Sequence, residues 1–268
     1  MRQPPDVPAD NSIYETLDDW WDPTGSVAGI HAMNPARAGY FRSVLQARLG
    51  SDLSGVRVLD VGCGGGLLTE ELLRLGAIAI GVDQAEAAVR CATAHADSGG
   101  LWSRYVRARG EQLPFEDGSF PVVMTSDFLE HVEDLSSIVR ECARVLAPGG
   151  LFLYDTINRT WLTRIFHIGV LQKWRGLVPE GTHDWRQFIK PCELEATMKN
   201  VDVRPVETLG LFPVDPVRFA LHLLKHKRGR DTMPPFRIGA WTGGSYVGYG
   251  VKEIGDSDPL PSAGGRDV

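Results

Sequence analysis

Two carboxylates and an imidazole fall within five residues in the heptapeptide SDFLEHV, at Asp127, Glu130 and His131. If this segment is helical, the positions three and four after Asp127 share its face, and the three side chains can act together. Such a group can bind a metal ion, transfer a proton, or form the polar first turn of an ordinary helix. The residues alone leave these three interpretations open.

A glycine-rich stretch, LDVGCGGG, is the second candidate for chemistry. Gly62 and Gly64 directly follow an apolar run and open a helical pattern, where glycine lets a ligand approach the backbone. Such turns serve dinucleotides, flavins and S-adenosylmethionine (SAM) alike. Asp60 discriminates, because its carboxylate would repel a pyrophosphate but favours the ammonium and sulfonium groups of SAM. Asp83 ends the next apolar run and can accept both ribose hydroxyls, so the two acids predict a class I SAM-dependent methyltransferase.

The elements that position these residues alternate between short apolar runs and helical patterns. The predicted strands are VRVLDV, AIAIGVD, SRYVRA, FPVVMTS and LFLYDT. Strands and helices at this spacing indicate an α/β fold with a parallel sheet and right-handed crossovers. A further helix is predicted at MNPARAGYFRSVLQARLG, with Asn34 as its cap, Pro35 in its first turn and Gly50 at its end.

Length and composition narrow the class of protein. The chain has 268 residues and a net charge of −6, which fits one domain with insertions and disfavours a nucleic-acid-binding protein. Its four separated cysteines, without a CxxC pair, predict neither a disulfide framework nor a zinc site. Because we find no signal peptide and no apolar run long enough to span a bilayer, we expect a cytoplasmic protein. Residues 1–12 and 254–268 are predicted to be disordered.

Several segments resemble known methyltransferases. VLDVGCGGG, GVD, GEQLPFEDGSF, LEHVED and VLAPGGLF resemble the class I superfamily in order and spacing. WWDPTGSVAGIHAMNPARAGYF, INRT and LVPEGTHDWRQFIKP resemble the ubiquinone-biosynthesis O-methyltransferases, which methylate catechol-type hydroxyls on polyprenylated rings. This second resemblance runs from about Trp20 to Thr208 and resumes at WTGGSYVGYGVKE.

The resemblance implies a Rossmann-like, seven-stranded sheet with helices on both faces. Its last strand would be antiparallel and would be supplied by SYVGYGVKE. Within one domain spanning 1–268, the implied parts are a helical lid at 11–50, a SAM-binding core at 56–156, and substrate-side insertions at 157–190 and 211–240.

The family pattern also bears on the heptapeptide. An ExxEH motif after the fourth strand is associated with a divalent metal there, which implies ligands at Asp127, Glu130 and His131. Mg²⁺ or another divalent cation would take oxygen ligands and stabilise a substrate oxyanion. Asp127 replaces the family's glutamate and reaches one methylene less far. In the alternative, without a metal, His131 is a general base or part of the pocket wall, and its acidic neighbours would raise its pKa.

Cofactor contacts follow from the resemblance position by position. Arg37 stands where the family's arginine approaches the SAM carboxylate, a partner that suits a guanidinium. Arg109 replaces an aspartate that often faces the adenine, so we expect backbone groups around Gly110 and Glu111 to serve there. The predicted SAM-contacting residues are Arg37, Asp60, Gly62, Gly64, Asp83, Gln84, Gly110, Glu111 and Ser126.

The acceptor is less constrained. The segment at 160–175 combines an apolar helical face with basic residues, and either contacts the inner face of a membrane or caps an apolar pocket. FALHLLKHKRGR, within 216–235, has little counterpart in the family and also fits an enzyme of specialised metabolism. We predict O-methylation of a phenolic or catechol hydroxyl on a hydrophobic small molecule. The alternative is a metal-independent C- or N-methyltransferase with His131 as base.

Two further classes are disfavoured. An NAD(P)-dependent oxidoreductase conflicts with Asp60 and with the lack of a Tyr-xxx-Lys pair. A catalytically inactive SAM-binding regulator conflicts with the intact set of Asp127, Glu130 and His131.

Overall fold

The computed structural model describes residues 11–174, 182–225 and 232–255. The strands are β1 (Arg57–Val61), β2 (Ile78–Asp83), β3 (Arg104–Arg107), β4 (Phe120–Ser126), β5 (Leu146–Ile157), β6 (Val203–Pro213), β7 (Phe236–Gly239) and β8 (Ser245–Lys252). They form one sheet in the order β3-β2-β1-β4-β5-β8-β6-β7. The first five strands are parallel, and β8 runs antiparallel to both β5 and β6.

Helices cover both faces of this sheet. They are α1 (Ala28–Leu49), α2 (Leu67–Arg74), α3 (Glu86–Ser98), α4 (Leu135–Val145), α5 (Trp161–Thr163), α6 (Pro191–Lys199) and α7 (Pro216–Lys225). A π-helical segment, Arg164–Trp174, continues α5. Short 3₁₀ helices occupy Asn11–Glu15, Leu129–His131 and Trp185–Gln187.

Alternation along the central strands builds two apolar cores. In β4, Val123 packs with side chains of α4 and α6, whereas Val122 and Met124 pack with side chains of α1 and α2. Successive side chains of a strand point to opposite faces, so a strand buried on both sides reads as a continuous apolar run. This explains why these strands could be predicted from the sequence. The α/β, Rossmann-like fold is confirmed, including the antiparallel strand at SYVGYGVKE.

Two details of the prediction were wrong. The sheet has eight strands rather than seven, because β7, inside the insertion at 211–240, pairs with β6 at the sheet edge. The helix α1 begins at Ala28, so Pro35 lies inside it and Asn34 is not its cap. The buried face that includes Phe41 and Leu45 holds α1 against the body despite the proline. The predicted end at Gly50 is confirmed.

The ends and insertions lie partly outside the described residues. Of the segments predicted to be disordered, residues 1–10 and 256–268 lie outside them, while residues 11 and 12 begin the 3₁₀ helix Asn11–Glu15. The two insertions pack on each other through Phe166 and Phe219, whose ring centroids are 5.8 Å apart. Within the described ranges, no helix has the length and apolarity needed to cross a bilayer.

Candidate active site

One pocket opens at the carboxyl ends of β1, β2 and β4, where the strand order reverses. Open α/β sheets bind their ligands at such switch points. All nine residues predicted to contact SAM line this pocket, together with Asp127 and His131. Glu130, the remaining member of the heptapeptide set, does not line it. The fold thus gathers residues that are distant in the chain, such as Arg37 and Asp127, which are 90 positions apart.

The glycine turn after β1 adopts a backbone conformation that side chains rarely allow. The angle φ is 76° at Gly62 and 52° at Gly64. A Cβ at Gly64 would lie 2.6 Å from the ring of Trp20, and a Cβ at Gly62 would overlap the ring of Phe128. Two aromatic side chains that themselves line the pocket occupy the space that a Cβ would need. The approach of a ligand to this backbone stays a prediction.

Asp83 fixes the same turn from the end of β2. Its Oδ2 accepts the backbone N–H of Gly64 at 2.9 Å, and its Oδ1 accepts that of Ala85 at 2.9 Å. A carboxylate oxygen has more than one lone pair, so both oxygens can still accept a hydroxyl. Burial raises the pKa of Asp83 against the effect of these hydrogen bonds.

Asp60 lies deeper, at the end of β1. It accepts the hydroxyl of Thr69 at 2.6 Å through Oδ2, and within the described part of the chain its Oδ1 has no hydrogen-bond partner. Burial raises its pKa to about 7. A cationic ligand group nearby would reverse part of that shift, because an opposite charge favours the ionised carboxylate.

Gly110 and Glu111, whose backbone groups were predicted to face the adenine, line the pocket together with Gln84. A Cβ at Gly110 would lie 3.0 Å from the ring of Phe128, so this backbone sits close to an aromatic face. The carboxylate of Glu111 pairs with Arg109 at 3.3 Å. The backbone carbonyl of Gln84 accepts Nε of Arg107 at 3.1 Å.

Arg37 projects from α1 into the opposite side of the pocket and is only 1% exposed. Its Nη2 donates to Asp127 at 3.1 Å and lies 2.8 Å from Oδ2 of Asp155. Among the described residues, its Nε and Nη1 have no hydrogen-bond partner. Buried donors of this kind are costly to leave unsatisfied, so they favour a ligand with acceptor oxygens.

The heptapeptide does not form the helix we expected. Asp127 has a positive φ of 52°, and only Leu129–His131 is helical, as a single 3₁₀ turn. Glu130 is fully buried behind the pocket wall, where it accepts the hydroxyl of Thr156 at 2.8 Å. The condition under which Asp127, Glu130 and His131 could share one helical face is therefore not met. The strand β4 is followed by a tight turn that separates them.

This geometry bears on the metal that the family motif implied. Among residues 11–174, 182–225 and 232–255, no three His, Cys, Asp or Glu side chains are grouped to hold a metal ion. Asp127 is engaged by Arg37, and Glu130 by Thr156. A hard cation needs several oxygen ligands that converge on one point. The donor set at Asp127, Glu130 and His131 does not fit such an ion.

The imidazole of His131, in the heptapeptide, lines the pocket. It is 8% exposed, and burial lowers its pKa below the ordinary value, while Asp127 acts in the opposite direction. The expectation that acidic neighbours would raise this pKa was wrong, because the loss of hydration outweighs their charge. The hydroxyl of Tyr14 lies 3.5 Å from Nε2 of His131, and the ring of His183 packs against the imidazole with centroids 5.1 Å apart.

Comparisons with known proteins show the family of this chain. A methyltransferase domain family matches residues 59–154. Ubiquinone biosynthesis O-methyltransferases from Caulobacter sp. strain K31 and Azorhizobium caulinodans are 42% and 37% identical to this chain. The alignments cover 77% and 79% of the chain and 84% and 86% of those relatives. The chain belongs to the ubiquinone biosynthesis O-methyltransferase family. It is a SAM-dependent O-methyltransferase.

Solved structures confirm the fold of this methyltransferase. The YcgJ protein from Bacillus subtilis superposes with a TM-score of 0.58 at 22% identity, covering 82% of this chain and 99% of that protein. A magnesium protoporphyrin IX methyltransferase from Synechocystis, solved with bound S-adenosylhomocysteine, has a TM-score of 0.56 at 19% identity. The superposition covers 81% of this chain and 82% of the Synechocystis protein.

Sequence reasoning missed the side chains that close this methyltransferase's pocket. Tyr14 and Trp20 come from the N-terminal segment and line the pocket beside the predicted residues. The implied lid at 11–50 and the Trp-Asp resemblance near Trp20 covered this segment without assigning either side chain to the pocket. From the insertion after β5, His167 packs against His183, with ring centroids 5.5 Å apart, and both contact Phe188. These rings give His131 an aromatic and imidazole surrounding that no local pattern predicted.

Proposed function

We propose that this enzyme methylates a phenolic or catechol hydroxyl of a hydrophobic, quinone-type aromatic acceptor. The observation that carries the proposal is the buried imidazole of His131 on the pocket wall, whose pKa is lowered by burial. A neutral imidazole can take the proton from the phenol as the oxygen gains its methyl group. General-base assistance of this kind is worth roughly 10²–10⁴ in rate. The relatives named for ubiquinone biosynthesis support an acceptor of the quinone type.

The pocket suits SAM, which supplies an electrophilic methyl group on a sulfonium when it binds. We assign the ligand's carboxylate to Arg37, whose buried Nε and Nη1 lack hydrogen-bond partners among the described residues. Asp83 would accept the ribose hydroxyls, and Asp60 would favour the cationic end of the ligand. Backbone groups at Gly110 and Glu111, with Gln84, Gly62, Gly64 and Ser126, would complete the contacts.

The acceptor would lie on the side of His131 that faces the insertion after β5. His183 and Phe188 contribute flat rings there, next to the π-helical segment. Aromatic rings stack favourably on one another. This surrounding supports an aromatic ring that carries a hydroxyl.

We further propose that the transfer needs no metal ion at Asp127, Glu130 and His131. Asp127 and Glu130 are engaged by Arg37 and Thr156 and do not converge with His131 on one point. The acceptor's proton then goes to His131, and the pocket wall excludes water from the reacting oxygen.

Turnover on a panel of acceptors tests these proposals together. The panel contains catechols and monophenols with prenyl chains of several lengths, together with amine nucleophiles, and mass spectrometry follows the methylated products. We expect prenylated catechols or phenols to react fastest, with equal rates before and after exhaustive chelation by EDTA. A preference for amines would overturn the acceptor class. Activity that is lost on chelation and restored by Mg²⁺ would overturn the metal-free mechanism.

The same hydrophobic acceptor suggests contact with a bilayer. We propose that the helical segment at 160–174 and α7 together touch a membrane surface from which a lipophilic substrate is drawn. Both segments carry large apolar side chains that are exposed to solvent. Amphipathic helical segments with apolar and basic residues bind membrane surfaces in this way.

A further inference from the structure

Asp155 is a fully buried carboxylate at the end of β5, and neither the motifs nor the family resemblance point to it. It lies directly opposite Ser126 in the register of β4 and β5. We propose that Asp155 is a positioning residue that fixes the guanidinium of Arg37 so that its free donors face the carboxylate of the cofactor. This inference rests on the proposed role of Arg37 in cofactor binding.

The contacts of Asp155 join two predicted cofactor residues. Its Oδ1 accepts the hydroxyl of Ser126, and its Oδ2 lies 2.8 Å from Nη2 of Arg37. Arg37 comes from α1 and Ser126 from β4, so this carboxylate links a helix to the centre of the sheet. A flexible arginine side chain is thereby held at a defined place on the pocket wall.

The nitrogen at which the guanidinium is held decides which of its N–H groups remain for a ligand. Both of its acidic partners, Asp127 and Asp155, approach the same nitrogen, Nη2. Within the described ranges, Nε and Nη1 are buried and have no hydrogen-bond partner. Nε and Nη1 each carry an N–H donor, so a guanidinium held at Nη2 still presents single donors to a second carboxylate.

The two acids are not equivalent partners. The side chain of Asp127 is 20% exposed, whereas that of Asp155 is 0% exposed. A carboxylate without water depends on its ion pair, and removing one partner of a buried pair leaves the other charge uncompensated. Asp155 is therefore the permanent anchor of Arg37, and Asp127 is the partner that can exchange with solvent or ligand.

Asp155→Asn tests this role with two ligands that differ in the carboxylate. S-Adenosylhomocysteine carries the amino-acid moiety, whereas 5′-methylthioadenosine shares the adenosine and thioether but lacks it. By isothermal titration we expect the variant to bind S-adenosylhomocysteine about tenfold more weakly, as for a misplaced charged hydrogen bond. Affinity for 5′-methylthioadenosine should stay within about twofold of wild type, which also demonstrates a folded pocket. Asp155→Ser serves as a second variant and should show the same selectivity.

Arg37→Gln tests the role of Arg37 in cofactor binding separately from the role of Asp155. This variant should also lose its preference for S-adenosylhomocysteine over 5′-methylthioadenosine. The double variant Arg37→Gln/Asp155→Asn should lose no more affinity than either single variant. Glu141→Gln is the control, since Glu141 pairs with Arg144 away from the pocket and should leave both affinities unchanged. Equal weakening of both ligands by the Asp155 variants, or an unchanged affinity for S-adenosylhomocysteine, would overturn the role of Asp155. If Arg37→Gln also leaves that affinity unchanged, the assignment of Arg37 falls with it, while methyl transfer itself is judged by product analysis.

Discussion

At the scale of single residues, the competition between burial and charge decides what His131 can do. In the sequence, Asp127 and Glu130 are close neighbours whose charges would raise the pKa of the imidazole. In the folded protein Asp127 acts in that direction, but its carboxylate also pairs with Arg37. Burial raises the pKa of Glu130 well above its ordinary value, which weakens its charge. The lost hydration of His131 therefore decides the direction of its shift.

The pH dependence of the reaction follows from this direction. His131 must be neutral to accept a proton, and its folded pKa lies below the ordinary value of about 6.5. We expect kcat to rise with pH through an apparent pKa below about 6.5 and to be flat from there to about pH 8. Steady-state rates on a phenolic acceptor across this range provide the test. A rising limb centred above about pH 7 would mean that the acidic neighbours dominate after all.

The position of some pocket-lining residues could be predicted because they stand at a fixed place in a strand-turn-helix pattern. Asp83 ends β2 and Ser126 ends β4, so sequence position alone brings both to one edge of the sheet. Asp155 gives no such signal, since its role arises from strand register with Ser126 and from the approach of Arg37. For Glu130 the prediction went the other way. Its place in the heptapeptide suggested a metal ligand, but the turn after β4 directs its side chain into the interior.

Among the strands and helices, apolar runs in the sequence predicted β1 to β5. The elements that the sequence did not predict depend on contacts made in the folded protein. The four-residue strand β7 was not predicted, and it pairs with the edge that β6 offers it. The sequence predicted a helical face at 160–175 but not the π form of Arg164–Trp174, because helical patterns are read with a period of 3.6 residues. The N-terminal segment that covers the pocket is held by single side chains rather than by a regular element.

Trp21 makes the contacts that hold this segment on the glycine turn. Its indole N–H donates to the carbonyl of Gly65 at 3.0 Å, and its ring stacks on His95 with centroids 3.4 Å apart. His95 is in turn paired with Glu70 at 2.7 Å. We expect Trp21→Ala to weaken binding of S-adenosylhomocysteine about tenfold and to speed its release, because one hydrogen bond and one ring contact are lost. Stopped-flow dissociation and isothermal titration measure the two effects.

Trp102→Ala is the matched control, since this tryptophan is 78% exposed and precedes β3 at the opposite end of the sheet. It should leave both the affinity and the release rate unchanged. If Trp21→Ala behaves like this control, the segment does not act as a cover for the cofactor.

At the scale of the whole molecule, the two insertions expose an apolar surface that the body does not bury. We define it by six side chains that are 45% to 69% exposed, namely Trp161, Leu162, Ile165, Val217, Leu221 and Leu224. Beneath it, Leu171, Phe219 and Leu223 form a small buried cluster that joins the two insertions. Large exposed apolar patches mark interaction sites.

We expect this surface to bind lipid vesicles. The double variant Ile165→Ser/Val217→Ser removes one large apolar group from each insertion and should reduce the fraction that sediments with vesicles about tenfold or more. Leu49→Ser/Ile254→Ser, which replaces two partly exposed apolar residues elsewhere, should sediment like wild type. Vesicles with and without anionic lipid separate apolar insertion from charge attraction. Equal sedimentation of both double variants would show that this surface does not bind the vesicles.

We propose that the methyl group goes to a phenolic oxygen while His131 takes the proton. The most direct measurement is a single turnover with SAM that carries a deuterated methyl group and a prenylated catechol, with the product identified by NMR. We predict the label in a methoxy group, at a rate that His131→Asn lowers by roughly 10²–10⁴ while affinity for S-adenosylhomocysteine stays within about twofold. Label on a carbon or nitrogen atom, or an undiminished rate in His131→Asn, would contradict the claim.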